Sequence, residues 1–224
     1  MKSRIWIAFM VAASLLCSVA CGDEEVDVAE TQRNSIVSYL TSSHSPRLIN
    51  KKDVGQALEK NPPFYEQVEY NTFRYIDDYY NPERESRVQV AEGDEVELTF
   101  TAYIFSGSTP AVSAIYLTND QVQIDELRKT GLNVEYWKTE PLKVKIGQTN
   151  IIKGVEESLI GCREGDKVEV YMTLEEAYED KVVGIVPKKS AVAWFYTIDS
   201  VATRWWAWCP LSRRWRGITP SIKL

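Results

Sequence analysis

The sequence predicts an α+β protein in which strands outnumber helices. Apolar and polar residues alternate over residues 96–104, 142–146, 168–172 and 192–198, which is the pattern of half-buried strands. Residues 151–159 predict one short helix between the second and third of these strands. The 224 residues, 44% of them hydrophobic and 26% charged, are enough for one sizeable core. Disorder of the whole chain is therefore excluded.

Residues 1–20 have the composition of a secretion signal, with Lys2 and Arg4 ahead of an apolar run that ends at Leu16. That run is shorter than the roughly 20 residues that a helix needs to cross a bilayer. The small residues before Cys21 resemble a bacterial lipoprotein processing site, where the thiol accepts the lipid. We therefore expect a cell-envelope protein anchored in the outer membrane through Cys21, on its periplasmic or surface face. A secreted protein cut near Ala20 is the alternative.

The two ends of the chain are basic, whereas its middle is acidic. The acidic residues after Cys21 resemble the surface-export signal of Bacteroidetes lipoproteins, although a solvated acidic tether over residues 21–34 accounts for them equally well. Residues 203–224 form a basic, Trp-rich tail, a pattern typical of a membrane surface or an anionic partner, or else of a disordered extension. The acidic middle would repel phosphate backbones, so we expect no nucleic-acid partner.

A helical N-terminal extension is predicted over residues 35–70. Short apolar periodicities mark helices at 35–40 and 53–60, separated by Pro46 and ended by Pro62 and Pro63. The aromatic-rich segment that follows predicts a strand over residues 71–77. His44 lies between serine residues in this extension, and we expect it to be a solvated loop residue.

The segment 106–140 predicts an insertion after the strand 96–104. It contains a candidate strand at 113–117 and a helix over 121–130, with Asn119 or Asp120 as N-cap and Gly131 at its end. Tyr136 and Trp137 near its end either widen a protein-binding surface or cap an edge strand.

Six short motifs follow in a fixed order: Lys145-Ile146-Gly147, Ile151-Ile152-Lys153-Gly154-Val155-Glu156, Cys162-Arg163-Glu164-Gly165-Asp166, Ala177-Tyr178-Glu179, Ile185-Val186-Pro187 and Ala191-Val192-Ala193-Trp194. In this order and spacing they resemble the FKBP-type peptidyl-prolyl cis-trans isomerases. The resemblance implies an FKBP-like domain over residues 71–202, with a twisted antiparallel sheet wrapped around a short helix. It also implies isomerisation of Xaa-Pro bonds.

This reaction needs neither a nucleophile nor a metal. Rotation about a peptide bond is opposed by about 18–20 kcal/mol of amide resonance, and the twisted amide is less polar than the planar one. A dry apolar pocket with one or two fixed hydrogen bonds therefore favours the twisted state. The single histidine and the absence of metal-ligand spacing among the four cysteines fit this chemistry, so we expect no cofactor and no metal.

The resemblance also implies a set of site residues. Residues in catalytic positions are Phe100, Ile152 through its backbone N–H, Tyr178 through its hydroxyl, and Trp194. Residues expected to contact the substrate are Leu142, Asn150, Ile151, Val155 and Ile185.

Phe100 and Trp194 stand where the family pattern has Tyr and Phe, and three further departures bear on activity. Val155 stands where the family has the Trp of the pocket floor, Tyr116-Leu117 stands where it has Phe-Asp, and Glu179 stands where it has Gly. We expect an isomerase that assists the folding of exported proteins by binding their proline-containing segments. A catalytically weak protein-binding module of the cell envelope is the alternative, and a purely structural lipoprotein is the least favoured.

Overall fold

An eight-stranded sheet is the framework of the computed structural model, which describes residues 27–50, 52–56, 63–135, 137–148 and 151–203. Within those residues the strands are β1 (Arg47–Leu48), β2 (Phe64–Glu69), β3 (Thr72–Ile76), β4 (Glu95–Ile104), β5 (Ile115–Thr118), β6 (Leu142–Lys145), β7 (Lys167–Met172) and β8 (Val192–Ala202). Their order is β1-β2-β3-β7-β8-β4-β5, and β6 also pairs with β4. Among the strand pairs of the described residues, only β1 and β2 run parallel.

Three α-helices with both ends in the described part of the chain accompany the sheet: α1 (Val28–Ser38), α2 (Gln121–Lys129) and α3 (Lys153–Leu159). Asp27 caps α1 by accepting hydrogen bonds from the N–H groups of Ala29 and Glu30. Asp120 caps α2 in the same way, and Gly131 follows that helix with a φ of +87°. None of the described helices is long and apolar enough to cross a membrane. The predicted α+β architecture, with an antiparallel sheet around a short helix, is confirmed.

The two faces of the sheet bury separate apolar cores. The alternation in β4 places Val96, Leu98, Phe100 and Ala102 on the face covered by α3, as the sequence predicts. The opposite face holds a second core, in which Ile36 of α1 packs against residues such as Tyr171 of β7. The N-terminal extension therefore belongs to the domain and covers the outer side of its sheet.

Helix α3 lies unusually close to the sheet. A Cβ atom on Gly154 would be 2.7 Å from the Sδ of Met172 and 3.1 Å from the Cβ of Glu176, so any larger residue would force these side chains to move. The Nη1 of Arg74 donates to the carbonyl oxygens of Ser158 at 2.6 Å and Ile160 at 2.8 Å, which caps the C-terminal end of the helix. These contacts fix the position of α3, and with it the position of every residue at its start.

The N-terminal extension differs from its prediction in two respects. Helix α1 begins at Val28, inside the predicted tether 21–34, because Asp27 supplies an N-cap. Residues 64–69 of the predicted helical extension form β2, which pairs with β3 in a hairpin. Residues 54–56 are helical as predicted, whereas residues 57–60 of that segment lie outside the described residues.

His44 is not the solvated loop residue that the sequence predicts. Its Nδ1 lies 2.8 Å from the hydroxyl of Tyr39 and its Nε2 lies 3.2 Å from the hydroxyl of Tyr65. The Tyr65 hydroxyl also donates to Glu169. Tyr39 and Tyr65 therefore hold the His44 ring against the outer face of the sheet. Sequence patterns alone do not indicate these contacts.

A buried ion pair joins the segment before β4 to the turn before β7. Arg84 donates from Nε and Nη2 to the two carboxylate oxygens of Asp166, each at 2.8 Å, and both side chains are almost fully buried. Asp166 also accepts a hydrogen bond from the N–H of Arg163 at 2.8 Å. This geometry satisfies both charges in the interior.

We predict that Asp166→Ala lowers the free energy of unfolding by about 3–5 kcal/mol, because it leaves the buried Arg84 guanidinium without a counter-ion. The control is Asp125→Ala, which breaks the exposed pair with Arg128 and is expected to change stability by about 0.5 kcal/mol. Urea unfolding followed by circular dichroism measures both. Equal losses in the two variants would contradict the prediction.

Candidate active site

The predicted site residues belong to the core cluster between α3 and the inner face of the sheet. Phe100, Val155 and Trp194 are buried in the inner core, and half-buried residues surround them at its edge: Leu142, Ile151, Ile152 and Tyr178. The structure thus brings together every described residue that the sequence assigns to the site, except Ile185. Asn150 lies outside the described residues, as do Cys21 and the tail 204–224.

The floor of this site is a stacked aromatic pair. The rings of Phe100 and Trp194 lie with centroids 4.4 Å apart and planes inclined by only 9°. In the register of β4 and β8, Phe100 pairs with Tyr196 and Ala102 pairs with Trp194, so the stacked rings are diagonal neighbours on one face. The small side chain of Ala102 leaves room for the indole to lie over the phenyl ring.

The largest aromatic side chain of the site lies on β8, whereas α3 carries a small residue. Val155 is fully buried at the position where the family has its Trp. Trp194 is 3% exposed and belongs to the same core cluster. The large aromatic surface of the floor therefore comes from β8 instead of α3.

A chain of three polar groups crosses the edge of the site. The Nε1 of Trp194 donates to the hydroxyl of Tyr116 at 2.7 Å, and that hydroxyl lies 3.1 Å from the hydroxyl of Tyr178. Burial raises the pKa of both tyrosines above the ordinary value. Both hydroxyls therefore remain protonated through neutral pH.

Tyr116 is the site residue that the sequence analysis missed. It lies on β5, inside the predicted insertion, and contacts the cluster through its half-buried ring. The sequence signal that could have identified Tyr116 was its position in the Tyr116-Leu117 pair. The family has phenylalanine there, so the tyrosine differs from it by a hydroxyl group. Sequence alone does not show that the hydroxyl meets Trp194.

The start of α3 offers a backbone donor beside the aromatic floor. Ile152 is the N-cap residue, and its carbonyl oxygen accepts hydrogen bonds from the N–H groups of Val155 and Glu156. Its own N–H has no hydrogen-bond partner within the described residues. A carbonyl group placed over the floor would find this donor unoccupied.

Ile185 departs from its predicted position. It is 64% exposed, whereas the adjacent Val186 is fully buried in the core that contains the site. A bridge between Val183 and Val186 closes a tight turn here, and consecutive side chains in it point to opposite sides. The structure therefore assigns the inward position to Val186.

A groove continues the site along the edge of β4. It has a volume of about 470 Å³ and shares Phe100 and Leu142 with the site, while Leu117 and Trp137 add apolar surface. Between the segments of β4 that pair with β5 and with β6, the side chain of Asn119 bonds the N–H of Phe100 and the carbonyl of Leu98. This amide takes the place of a strand where neither neighbour pairs with β4.

We predict that Val155→Trp lowers the free energy of unfolding by about 1–3 kcal/mol, because an indole is much larger than the fully buried isopropyl group that it replaces. Adding Trp194→Phe is expected to recover much of that loss, since it removes volume from the same core. Urea unfolding of both single variants and the double variant measures this coupling.

The control for that comparison is Val122→Trp, at a residue of α2 that is 65% exposed. Its stability is expected to stay within about 0.5 kcal/mol of the parent protein. Additive losses from Val155→Trp and Trp194→Phe would show that the two residues do not share one space.

The chain is similar in sequence to known proteins. The family described as "FKBP-type peptidyl-prolyl cis-trans isomerase" matches residues 86–197, half of the chain. Trigger factor of Rickettsia prowazekii is 24% identical over 161 residues, which cover 69% of this chain and 36% of that protein. The chain thus spans about a third of the length of this curated relative.

Two solved structures are also similar. The N-terminal domain of FKBP42 from Arabidopsis thaliana has a TM-score of 0.42 and 10% identity, with 62% of this chain and 92% of that chain covered. The three FKBP domains of wheat FKBP73 give a TM-score of 0.42 and 18% identity, with coverage of 59% and 46%. From the family match over residues 86–197, this chain belongs to the FKBP-type peptidyl-prolyl cis-trans isomerase family.

Proposed function

We propose that the protein catalyses the cis-trans isomerisation of peptide bonds that precede proline. The observation that carries this proposal is the stacked floor of Phe100 and Trp194 with two hydrogen-bonding groups at its edge. One is the N–H of Ile152 and the other is the hydroxyl of Tyr178. An apolar surface with two separate polar groups suits a proline ring and the carbonyl groups on either side of it.

The proposed mechanism is selective stabilisation of the twisted amide. In the planar amide the carbonyl oxygen is strongly polarised and well solvated. Transfer of this oxygen from water to an aromatic surface is therefore unfavourable. Twisting removes the conjugation, which makes the amide less polar and better suited to that surface. The hydrogen bonds from Ile152 and Tyr178 orient the flanking carbonyls, so that only the Xaa-Pro bond turns.

No group at this site needs to gain or lose a proton in the mechanism. Burial raises the pKa of Tyr178, so its hydroxyl remains a neutral donor as the pH rises through the physiological range. A raised pKa preserves the donor below that pKa, and the donor would be lost only as the pH approaches it. The reaction rate should therefore be independent of pH near neutrality.

One observation favours a second candidate, a binding module with slow turnover. Phe100 is 5% exposed and Trp194 is 3% exposed, so the floor is almost covered. A proline ring would reach it only after the half-buried side chains at the edge, such as Tyr178 and Ile151, move aside. Binding to these edge residues alone would hold a partner without isomerising it.

The proposed clients are exported proteins, and the proposed location is the cell envelope. Both rest on the signal-like residues 1–20 and on Cys21, through which the chain would be anchored in the outer membrane. The exposed apolar side chains of Val182 and Ile185 lie in the turn that follows Tyr178. They offer unfolded segments a contact beside the site.

We predict that the full chain accelerates isomerisation of a short proline peptide and that Tyr178→Phe lowers kcat/KM about tenfold, the effect of one lost hydrogen bond. NMR exchange spectroscopy measures the rate without a coupled enzyme. The rate is expected to be constant between about pH 6 and pH 9, since the pKa of Tyr178 is raised above its ordinary value of about 10.

Tyr75→Phe is the matched control, because the hydroxyl of Tyr75 bonds Asp77 outside the site. It is expected to keep the parental rate. Peptide binding without any acceleration would support the binding module instead, and a rate equal to that of the uncatalysed peptide with no binding would refute both functions.

For the location, we predict that the chain incorporates labelled palmitate when expressed in a bacterium that processes lipoproteins, and that Cys21→Ser abolishes the label. The thiol is the group that accepts the lipid, and a hydroxyl does not replace it. Cys162→Ser is the control, because that thiol is fully buried and should leave labelling unchanged. Labelling that survives Cys21→Ser would exclude the proposed anchor.

A further inference from the structure

We infer that Tyr116 is a positioning residue, which fixes the hydroxyl of Tyr178 as a hydrogen-bond donor towards the substrate carbonyl. This inference rests on the proposed isomerase function. It goes beyond that function because it gives a role to a residue and to a hydrogen-bond direction that the family motifs do not contain. Its basis is the chain of contacts from Trp194 through Tyr116 to Tyr178.

The direction of the first hydrogen bond is fixed by chemistry. An indole Nε1–H can only donate, so in the 2.7 Å contact the oxygen of Tyr116 must accept. The Tyr116 hydroxyl keeps one proton of its own and needs an acceptor for it. Within the described residues, the Tyr178 oxygen at 3.1 Å is the remaining hydrogen-bond partner of this hydroxyl.

The direction of the second hydrogen bond follows from counting protons. If Tyr116 donates to Tyr178, the protons of Trp194 and Tyr116 are both used, and the proton of Tyr178 is free for a substrate. If Tyr178 donated to Tyr116, the Tyr116 proton would have no acceptor among the described residues, and Tyr116 is the more deeply buried of the two tyrosines. An unpaired buried donor is unfavourable, so the first arrangement is the stable one.

The consequence is a hydroxyl that is oriented before the substrate arrives. A tyrosine hydroxyl on its own has two planar orientations, and only one of them points at a given carbonyl. With its oxygen already accepting from Tyr116, the Tyr178 hydroxyl has its proton directed away from Tyr116. Preorganised donors of this kind need no reorientation during the reaction.

Two replacements in this chain act together in that arrangement. The sequence has Tyr116 and Trp194 at two positions where the family pattern has phenylalanine. Phenylalanine at either position would break the chain of hydrogen bonds, since it has neither a hydroxyl nor an N–H. The rings of Tyr116 and Tyr178 also pack edge to face, with their centroids 5.9 Å apart. Packing and hydrogen bonding therefore align the same two residues.

The test is a double-mutant cycle on the full chain, with Tyr116→Phe, Tyr178→Phe and both together. We expect Tyr116→Phe to lower kcat about three- to tenfold with little change in KM, as loss of one orienting hydrogen bond implies. In the Tyr178→Phe background, Tyr116→Phe should change kcat by less than about 1.5-fold, because the Tyr178 hydroxyl through which Tyr116 acts is already absent. Trp194→Phe should lower kcat in the same direction as Tyr116→Phe.

Two results would overturn the inference. One is an unchanged kcat in Tyr116→Phe, and the other is an equal loss with and without the Tyr178 hydroxyl, which indicates a packing effect. A parent protein that binds the peptide without accelerating it would refute the isomerase function and leave the cycle measurable in Kd, with the same expected non-additivity. Circular dichroism confirms that each variant folds, and Tyr75→Phe again serves as the control.

Discussion

The seating of the short helix α3 is the constraint on which the site depends. Seven residues are too few for a stable isolated helix, so its geometry must come from tertiary contacts. Arg74 of β3 binds the carbonyl groups at one end, while the absence of a side chain at Gly154 lets the other end approach β7. Ser158 adds a 2.8 Å hydrogen bond to Tyr196 of β8. The edge donor and the buried valine at the start of α3 therefore occupy fixed positions over the sheet.

Periodicity predicted most of the sheet and helices because those elements bury one face. The strand 96–104 and the helix 121–130 match β4 and α2 to within a residue, and their turn and cap residues are visible in the sequence. β2 was not predicted, since its aromatic residues give no alternating pattern that separates a strand from a loop. His44 was misplaced because its environment comes from tyrosines distant in sequence.

The site shows the same division between local and distant information. Family motifs located Tyr178, Ile152 and Val155, which lie in a turn and at the start of a helix. They could not show that the indole of Trp194 stacks on Phe100, because that contact depends on the register of β4 and β8. A position-by-position comparison registers only the small Val155, whereas the folded site contains a stacked aromatic pair.

The side chain of Asn119 gives the insertion a further property. Its amide bonds the backbone of β4 at Leu98 and Phe100, and so the edge of the sheet is closed where β5 ends and before β6 begins. The segment between β5 and β6 can therefore vary in length without disrupting the sheet. This junction is suited to loop exchange: evolution or a protein engineer can lengthen, shorten or replace the segment beside the groove while the domain keeps its fold.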